Sequence, residues 1–288
     1  MQDHPAYAGK KLLAVLAHPD DETFGMGGTL ALYARRGVAV HLICATRGEV
    51  GEIDPQYKES LKSAACVRTQ ELRCAAAALG ISQIHFLNYR DSGMSGDEAM
   101  HHPNALAAQP VEKVAGEVAH LIRKIQPEVV LTFDPIGGYR HPDHLAMHQA
   151  TALAFEMAGS VEDEDPEGYA PYTPDRLYFH TINRTFLKIV VWVLKLFGQD
   201  PRKYGKNKDI DLVAITEVSY PTHVKIDYRD VKDVRERASQ CHASQGGEEI
   251  NKGIRGIISW LFNGYYETFM QAYPSPDPSQ GVKQDLFQ

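Results

Sequence analysis

Two short apolar runs, each breaking abruptly into polar residues, organise this chain. Leu12–Ala17 (LLAVLA) is followed at once by His18, Pro19, Asp20, Asp21 and Glu22. Val129–Phe133 (VVLTF) runs into Asp134 and then GGYRHPDH, Gly137–His144. Apolar runs of this length, without polar alternation, predict strands buried on both faces, as in parallel sheets. A proline followed by acids suits the first turn of a helix, whose free N–H groups favour negative charge. Both polar clusters are therefore expected at the carboxyl ends of strands, where open α/β sheets place their sites.

The pattern elsewhere extends this frame. Val38–Ala45 and Ile84–Leu87 read as further strands, and Gly25 to about Arg36 and Val67–Leu79 as helices. Val111, Val114, Val118, Leu121, Ile122 and Ile125 recur at helical spacing, and a helix is expected from Asp143 to Met157. The alternation predicts an α/β class: a Rossmann-like, doubly wound, mostly parallel sheet with helices on both faces, over residues 1–157. Residues 1–9 read as a loose leader, 52–65 as a polar connection and 97–109 as mobile.

The rest of the chain divides further. Residues 158–212 read as an insertion, a lid or an oligomer contact, with an acidic Pro/Gly-rich loop (159–174) and a strand, Leu177–Thr181. Within it, Phe186–Phe197 (FLKIVVWVLKLF) has ten apolar residues in twelve. A bilayer span takes about twenty, so this is expected to cap the site or meet a second subunit, with an in-plane membrane helix as the other reading. Residues 213–272 read as the C-terminal part of the same catalytic domain, a smaller α/β extension. It comprises strands at Val213–Val218 and Thr222–Ile226, a helix from Val231 to about Ala243, and a helical Ile250–Met270. Residues 273–288 read as a tail.

Composition narrows the class. A net charge of −7 with no basic stripe argues against a nucleic-acid partner. The four cysteines form no CxxC pair, and Cys66 and Cys74 share one predicted helix too far apart to bridge easily. That, with no apolar leader, favours a reduced, cytoplasmic setting.

The chemistry lies in the spacing. His18 and Asp21, three apart, fall on one side of a first helical turn and can share one cation, while Asp20 is rotated away by about 100°. A ligand and a base thus stand side by side. One histidine of the second cluster would complete a three-ligand zinc site with its fourth position left to water. His141, His144 and His148 share a helical face, and spacing does not choose among them. Asp20, uncoordinated, is placed to take the proton of the attacking water.

AHPDDE (Ala17–Glu22) with HPDH (His141–His144) resembles the LmbE/PIG-L family of metal-dependent N-acetylglucosaminyl deacetylases. TRGEVG (Thr46–Gly51), Arg68 with Glu71-Leu72, YRDSGM (Tyr89–Met94) and HASQ (His242–Gln245) fit as well. YRDSGM and GGYRHPDH resemble the branch acting on mycothiol and its precursor. The resemblance implies His144 as third ligand to one Zn2+ per chain, with Fe2+ or Co2+ suiting the same donors. It implies His141, and with it Tyr139, at the oxyanion, with Asp143 holding His141 in its charged form. It points to Arg68 and Asp91, and more weakly to Glu49, as contacts to the sugar. The bland alternatives are an Arg68–Glu71 salt bridge, a turn role for Asp91, and packed histidines at 148 and 242.

The activity so implied is removal of an N-acetyl group from an N-acetylglucosamine-type conjugate. Three other readings compete: an amidase cleaving a larger acyl group such as a cysteine conjugate, a two-metal phosphoesterase, and a non-catalytic sugar-binding module. Only a catalyst needs Asp20 beside the ligands.

Overall fold

A computed structural model describes residues 7–51, 63–182, 184–203, 211–247 and 265–288. Strands β1 (Lys11–Leu16), β2 (Ala39–Cys44), β3 (Gln83–Phe86), β4 (Val129–Phe133), β5 (Arg176–Thr181), β6 (Val224–Asp227) and β7 (Tyr266–Tyr273) form one sheet. Its order is β3-β2-β1-β4-β5-β7-β6. The first five strands are parallel, while β7 runs antiparallel to both β5 and β6. Leu12–Leu16 and Val129–Leu131 have no exposed surface, as expected for the central strands of a parallel sheet.

The order places a topological switch between β1 and β4. The chain leaves β1 towards β2 and β3, then returns to β4 on the other side. Right-handed crossovers put the intervening helices on opposite faces. Helices α2 (Gly27–Arg35), α3 (Ala64–Leu79) and α8 (Lys232–Cys241) pack together, and α4 (Val111–Ile125) packs on α5 (Pro142–Gly159). The crevice beyond the carboxyl ends of β1 and β4 is thus where both His-Pro-Asp segments emerge.

Several expectations need correction. Val213–Val218 is not a strand: Leu212–Thr216 is a short helix, α7. It buries Leu212 and Ile215 against Leu187 and Val191 of α6 (Arg184–Leu196), a small apolar cluster apart from the main core. Residues 97–109 carry two short 3-10 turns, and Ala105 and Leu106 are fully buried. The expected helix from Ile250 to Met270 lies outside the described residues as far as 264, and beyond it the chain is strand β7.

The end of the chain is no loose tail. Tyr33 donates to Asp285 Oδ1 (2.9 Å) and accepts from the Leu286 N–H (2.7 Å), and Leu286 is fully buried. Tyr7, at the end of the expected leader, also bonds Asp285; residues 1–6 and 52–62 lie outside the described residues.

The cysteine reading is also overturned. Cys74 of α3 and Cys241 of α8 form a disulfide across 167 residues of sequence. Cysteine usage therefore gives no argument for a reducing compartment. No helix among the described residues is long and apolar enough to cross a membrane.

Candidate active site

The site is assembled from the tips of β1 and β4. After β1 the backbone N–H of His18 donates to Asp21 Oδ2 (2.7 Å), which folds the turn and fixes that carboxylate beside the imidazole. Asp20 then takes a left-handed conformation (φ 116°) ahead of α1 (Asp21–Phe24). After β4, Asp134 holds the next turn by accepting from Ile136 N–H (3.2 Å) and Gly138 N–H (2.7 Å). Gly137 has φ +62°, and a Cβ there would lie 2.8 Å from that of His144, so only glycine lets the turn pass this helix. His141 caps α5: its Nδ1 accepts from the Asp143 N–H (3.2 Å), with Pro142 at the first helical position.

His18, Asp21 and His144 come together. His18 Nδ1 and His144 Nε2 are 3.3 Å apart, His144 Nε2 and Asp21 Oδ1 3.1 Å, and His18 Nδ1 and Asp21 Oδ2 3.5 Å. Donors held at about 2.0–2.1 Å in a tetrahedron lie about 3.3 Å from one another, and the two imidazole nitrogens and the Asp21 carboxylate, which meets His144 through Oδ1 and His18 through Oδ2, are spaced on that scale. Their outer nitrogens are occupied as ligand histidines require: His144 Nδ1 donates to Gly137 O (3.2 Å), and His18 Nε2 lies 3.1 Å from Asp143 Oδ2. Among the described residues, the groups of three whose donor atoms all lie within 4.8 Å of one another are His18, His141 and His144, and His18, Asp91 and Asp143. In the first, the α5 cap takes His141 Nδ1 and leaves only its Nε2; in the second, Asp143 and Asp91 face the outer nitrogen of His18.

Charge agrees with a cation at this point. Burial works against a proton on His18, yet Asp91, Asp143 and Asp21 outweigh it and raise its pKa well above the ordinary value. Burial raises the Asp21 carboxyl, but His144 and His18 outweigh it and hold Asp21 well below the carboxylate range. Asp91 is likewise lowered, burial being outweighed by His18 and by the Gly93 N–H. A centre ringed by such acids favours positive charge, whether a proton or a metal ion.

Asp20 stands beside this cluster. It is the more open carboxylate, its side chain 18% exposed, and Arg68 Nη2 lies 3.1 Å from its Oδ2. Burial pushes its pKa up to about 6, against the pull of Arg68.

Asp143 is not where the resemblance put it. Its carboxylate faces His18 and accepts from the Ser92 N–H (3.0 Å); only its backbone touches the His141 ring. Nor do the surroundings favour a charged His141: burial, then His18 and His144, push its pKa down to about 2. With Nδ1 accepting, the neutral ring carries its proton on Nε2. Tyr139 packs edge-on to His141 and His144, with centroids 5.9 and 5.0 Å away, and its other side meets the α6–α7 cluster. Arg184 of α6 pairs with Asp134 (3.2 Å), so α6 is anchored to the turn that carries Tyr139.

The other residues resolve individually. Arg68 does not pair with Glu71. Its guanidinium donates to Pro19 O (2.8 Å), Asp20 and Gly48 O (3.3 Å), with Asp91 3.9 Å away. Gly48 is φ +67°, and a Cβ there would lie 2.1 Å from Arg68 Nη1, so TRGEVG makes room for this side chain. Glu49 accepts from the Asp91 N–H (3.0 Å), a contact that holds the loop. His148 donates to Phe133 O (2.9 Å) and packs on Phe179, as a structural histidine. His242 lies 2.7 Å from Glu22 Oε1, both fully buried. Ser92, Asp134 and Glu22 hold the site together and were not singled out from the sequence, although Glu22 ends AHPDDE and Ser92 lies within YRDSGM.

Comparisons with known proteins bear on the family and the fold. The family model for GlcNAc-PI de-N-acetylase (PIG-L) matches residues 13–155. A relative from Actinosynnema mirum, 1D-myo-inositol 2-acetamido-2-deoxy-alpha-D-glucopyranoside deacetylase, is 43% identical, with 97% of each chain covered. Among solved structures, N,N'-diacetylchitobiose deacetylase from Pyrococcus horikoshii superposes with a TM-score of 0.63 at 22% identity, covering 91% of this chain and 83% of that one. A hydratase, GalB, 4-carboxy-2-hydroxymuconate hydratase of a Pseudomonas, superposes at 0.61 and 19% identity, covering 94% and 100%. One fold thus serves two reactions, and the residues at the site have to decide between them.

Proposed function

Since the chain belongs to the GlcNAc-PI de-N-acetylase (PIG-L) family, we propose that it hydrolyses the acetamide of N-acetylglucosamine linked to inositol, releasing acetate and the free amine. The observation that carries the reading is the convergence of His18 Nδ1, His144 Nε2 and Asp21 at 3.1–3.5 Å, with a separate carboxylate, Asp20, next in the chain.

These three residues would hold one divalent ion, Zn2+ by donor type, with Fe2+ or Co2+ suited to the same set. When bound, such an ion polarises the amide carbonyl and makes water more acidic. Asp20 accepts the proton of the attacking water, and Arg68 holds its carboxylate in place. His141, neutral with its proton on Nε2, donates to the oxyanion, and Tyr139 borders the same space. The departing amine takes the proton back from Asp20. Arg68 and Asp91 offer a donor and an acceptor to sugar hydroxyls, while Glu49 supports Asp91 from behind.

The relative from Actinosynnema mirum supports the inositol conjugate over the larger-acyl amide. The test is amine release from N-acetylglucosaminyl-inositol after chelation and metal re-addition, alongside a mercapturate-releasing amide of the same sugar. Metal-dependent acetate release from the first is expected. Turnover of the second alone would overturn the assignment.

A further inference from the structure

Asp20 adopts φ 116°, a conformation that a non-glycine residue keeps only where its neighbours enforce it. Two contacts do so. Arg68 holds the side chain, and Glu22 Oε2 accepts from the Asp20 N–H at 2.9 Å. The second oxygen of Glu22 accepts from Thr23 Oγ1 and meets His242 Nε2 at 2.7 Å, with Glu22 and His242 both fully buried.

His242 is itself strapped down on either side. Cys241 is bonded to Cys74 of α3, and Ser244 gives its N–H (2.8 Å) and hydroxyl (2.7 Å) to Glu71 of the same helix. The chain from Cys241 to Ser244 is thus fastened in succession to α3, α1 and α3 again. A carboxylate buried to this depth needs a partner, and Glu22 finds it in an imidazole 220 residues away. Nothing in the reaction uses either group directly.

We propose that Glu22 and His242 are a positioning pair for the base: His242 fixes Glu22, and Glu22 sets the backbone turn that aims the Asp20 carboxylate. The inference rests on Asp20 as general base. It makes HASQ a part of the catalytic apparatus that acts through Asp20 and contacts no substrate. A misplacement of about 1 Å in such a group can cost about 100-fold in rate.

The test measures kcat, KM and bound metal on the metal-loaded full chain. His242→Leu leaves the Glu22 charge unpaired; it should lower kcat about 100-fold with KM within about twofold and metal content unchanged. His242→Gln, whose amide can still donate to Glu22, should recover most of that loss, which a filled cavity alone would not produce. Glu22→Gln, equal in size, keeps one acceptor oxygen for three donors and should lower kcat about tenfold; it also serves if His242→Leu does not fold. In an Asp20→Asn background, Glu22→Gln should cost less than about twofold more, because its effect passes through Asp20. A wild-type kcat in His242→Leu or Glu22→Gln, or a fully additive loss in the double variant, overturns the pairing alone. A wild-type kcat in Asp20→Asn overturns the base assignment and the pairing with it.

Discussion

Asp143 and His18, 125 residues apart, meet at 3.1 Å between a carboxylate oxygen and the outer imidazole nitrogen. The contact fixes His18 with Nδ1 turned towards Asp21 and His144. In the proposed site Asp143 thus supports the cation cage, and His141 serves the oxyanion.

Replacing Asp143 therefore reaches metal binding first. Asp143→Ala should weaken metal affinity about 10–100-fold, the usual cost of removing the partner behind a ligand histidine. Competition against a chelator of known affinity checks this. A variant with undiminished metal affinity and a loss in kcat only would return Asp143 to the His141 side.

His141→Ala should behave in the opposite way. In the proposed site His141 is not a ligand, and its Nε2–H is the donor offered to the oxyanion. Full metal content with kcat lowered about 10²–10³-fold is expected, comparable to losing one oxyanion donor elsewhere. Steady-state kinetics with metal analysis on the same sample decides it. The variant also loses the α5 cap, worth about 1 kcal/mol, which a thermal melt should register.

Acid should silence the enzyme through Asp20. Burial raises this carboxyl to about 6, so the ionised base is present above that pH and lost as pH falls through it. A cation in the neighbouring cage favours the ionised form and moves the limb lower, never higher. A profile of kcat/KM should rise to its plateau through a midpoint at or below about pH 6. A rising limb centred near 8 would point to a different base.

The disulfide should be worth measurable stability. Closing a long loop with a Cys74–Cys241 link stabilises by about 2–4 kcal/mol, mainly by restricting the unfolded chain. Reductant should lower the melting temperature by about 5 °C or more, and Cys74→Ser should melt at the reduced value with or without reductant. Equal melting temperatures under both conditions would show that the bond is not formed in solution.

Much of this site was legible because its parts are local. The runs at 12–17 and 129–133 announce central strands, and the polar residues after each announce what those strands carry. What sequence could not supply was contact at long range. The resemblance implied a pairing of Asp143 with His141 that the fold replaces with one to His18. Cys74 and Cys241 come together only because α3 and α8 pack side by side.

Two elements were misread for reasons of pattern. In β7 the inward positions are Glu267, Phe269 and Gln271, so buried polar groups erase the alternation that marks a strand. Glu267 is buried because it accepts from the N–H groups of Gly28 (2.9 Å) and Thr29 (2.7 Å) at the start of α2. In Leu212–Thr216 the apolar run is too short for periodicity to separate strand from helix. Its docking on α6 through Leu212 and Ile215 decides the outcome.

The central claim is that three side chains hold one divalent ion while Asp20 stays free of it. Metal analysis after equilibrium dialysis, on the wild type, Asp20→Ala and His144→Ala side by side, tests it most directly. The account predicts one ion per chain in the wild type, the same in Asp20→Ala with turnover gone, and none in His144→Ala. An Asp20→Ala chain empty of metal, or a His144→Ala chain still carrying a full equivalent, would contradict it.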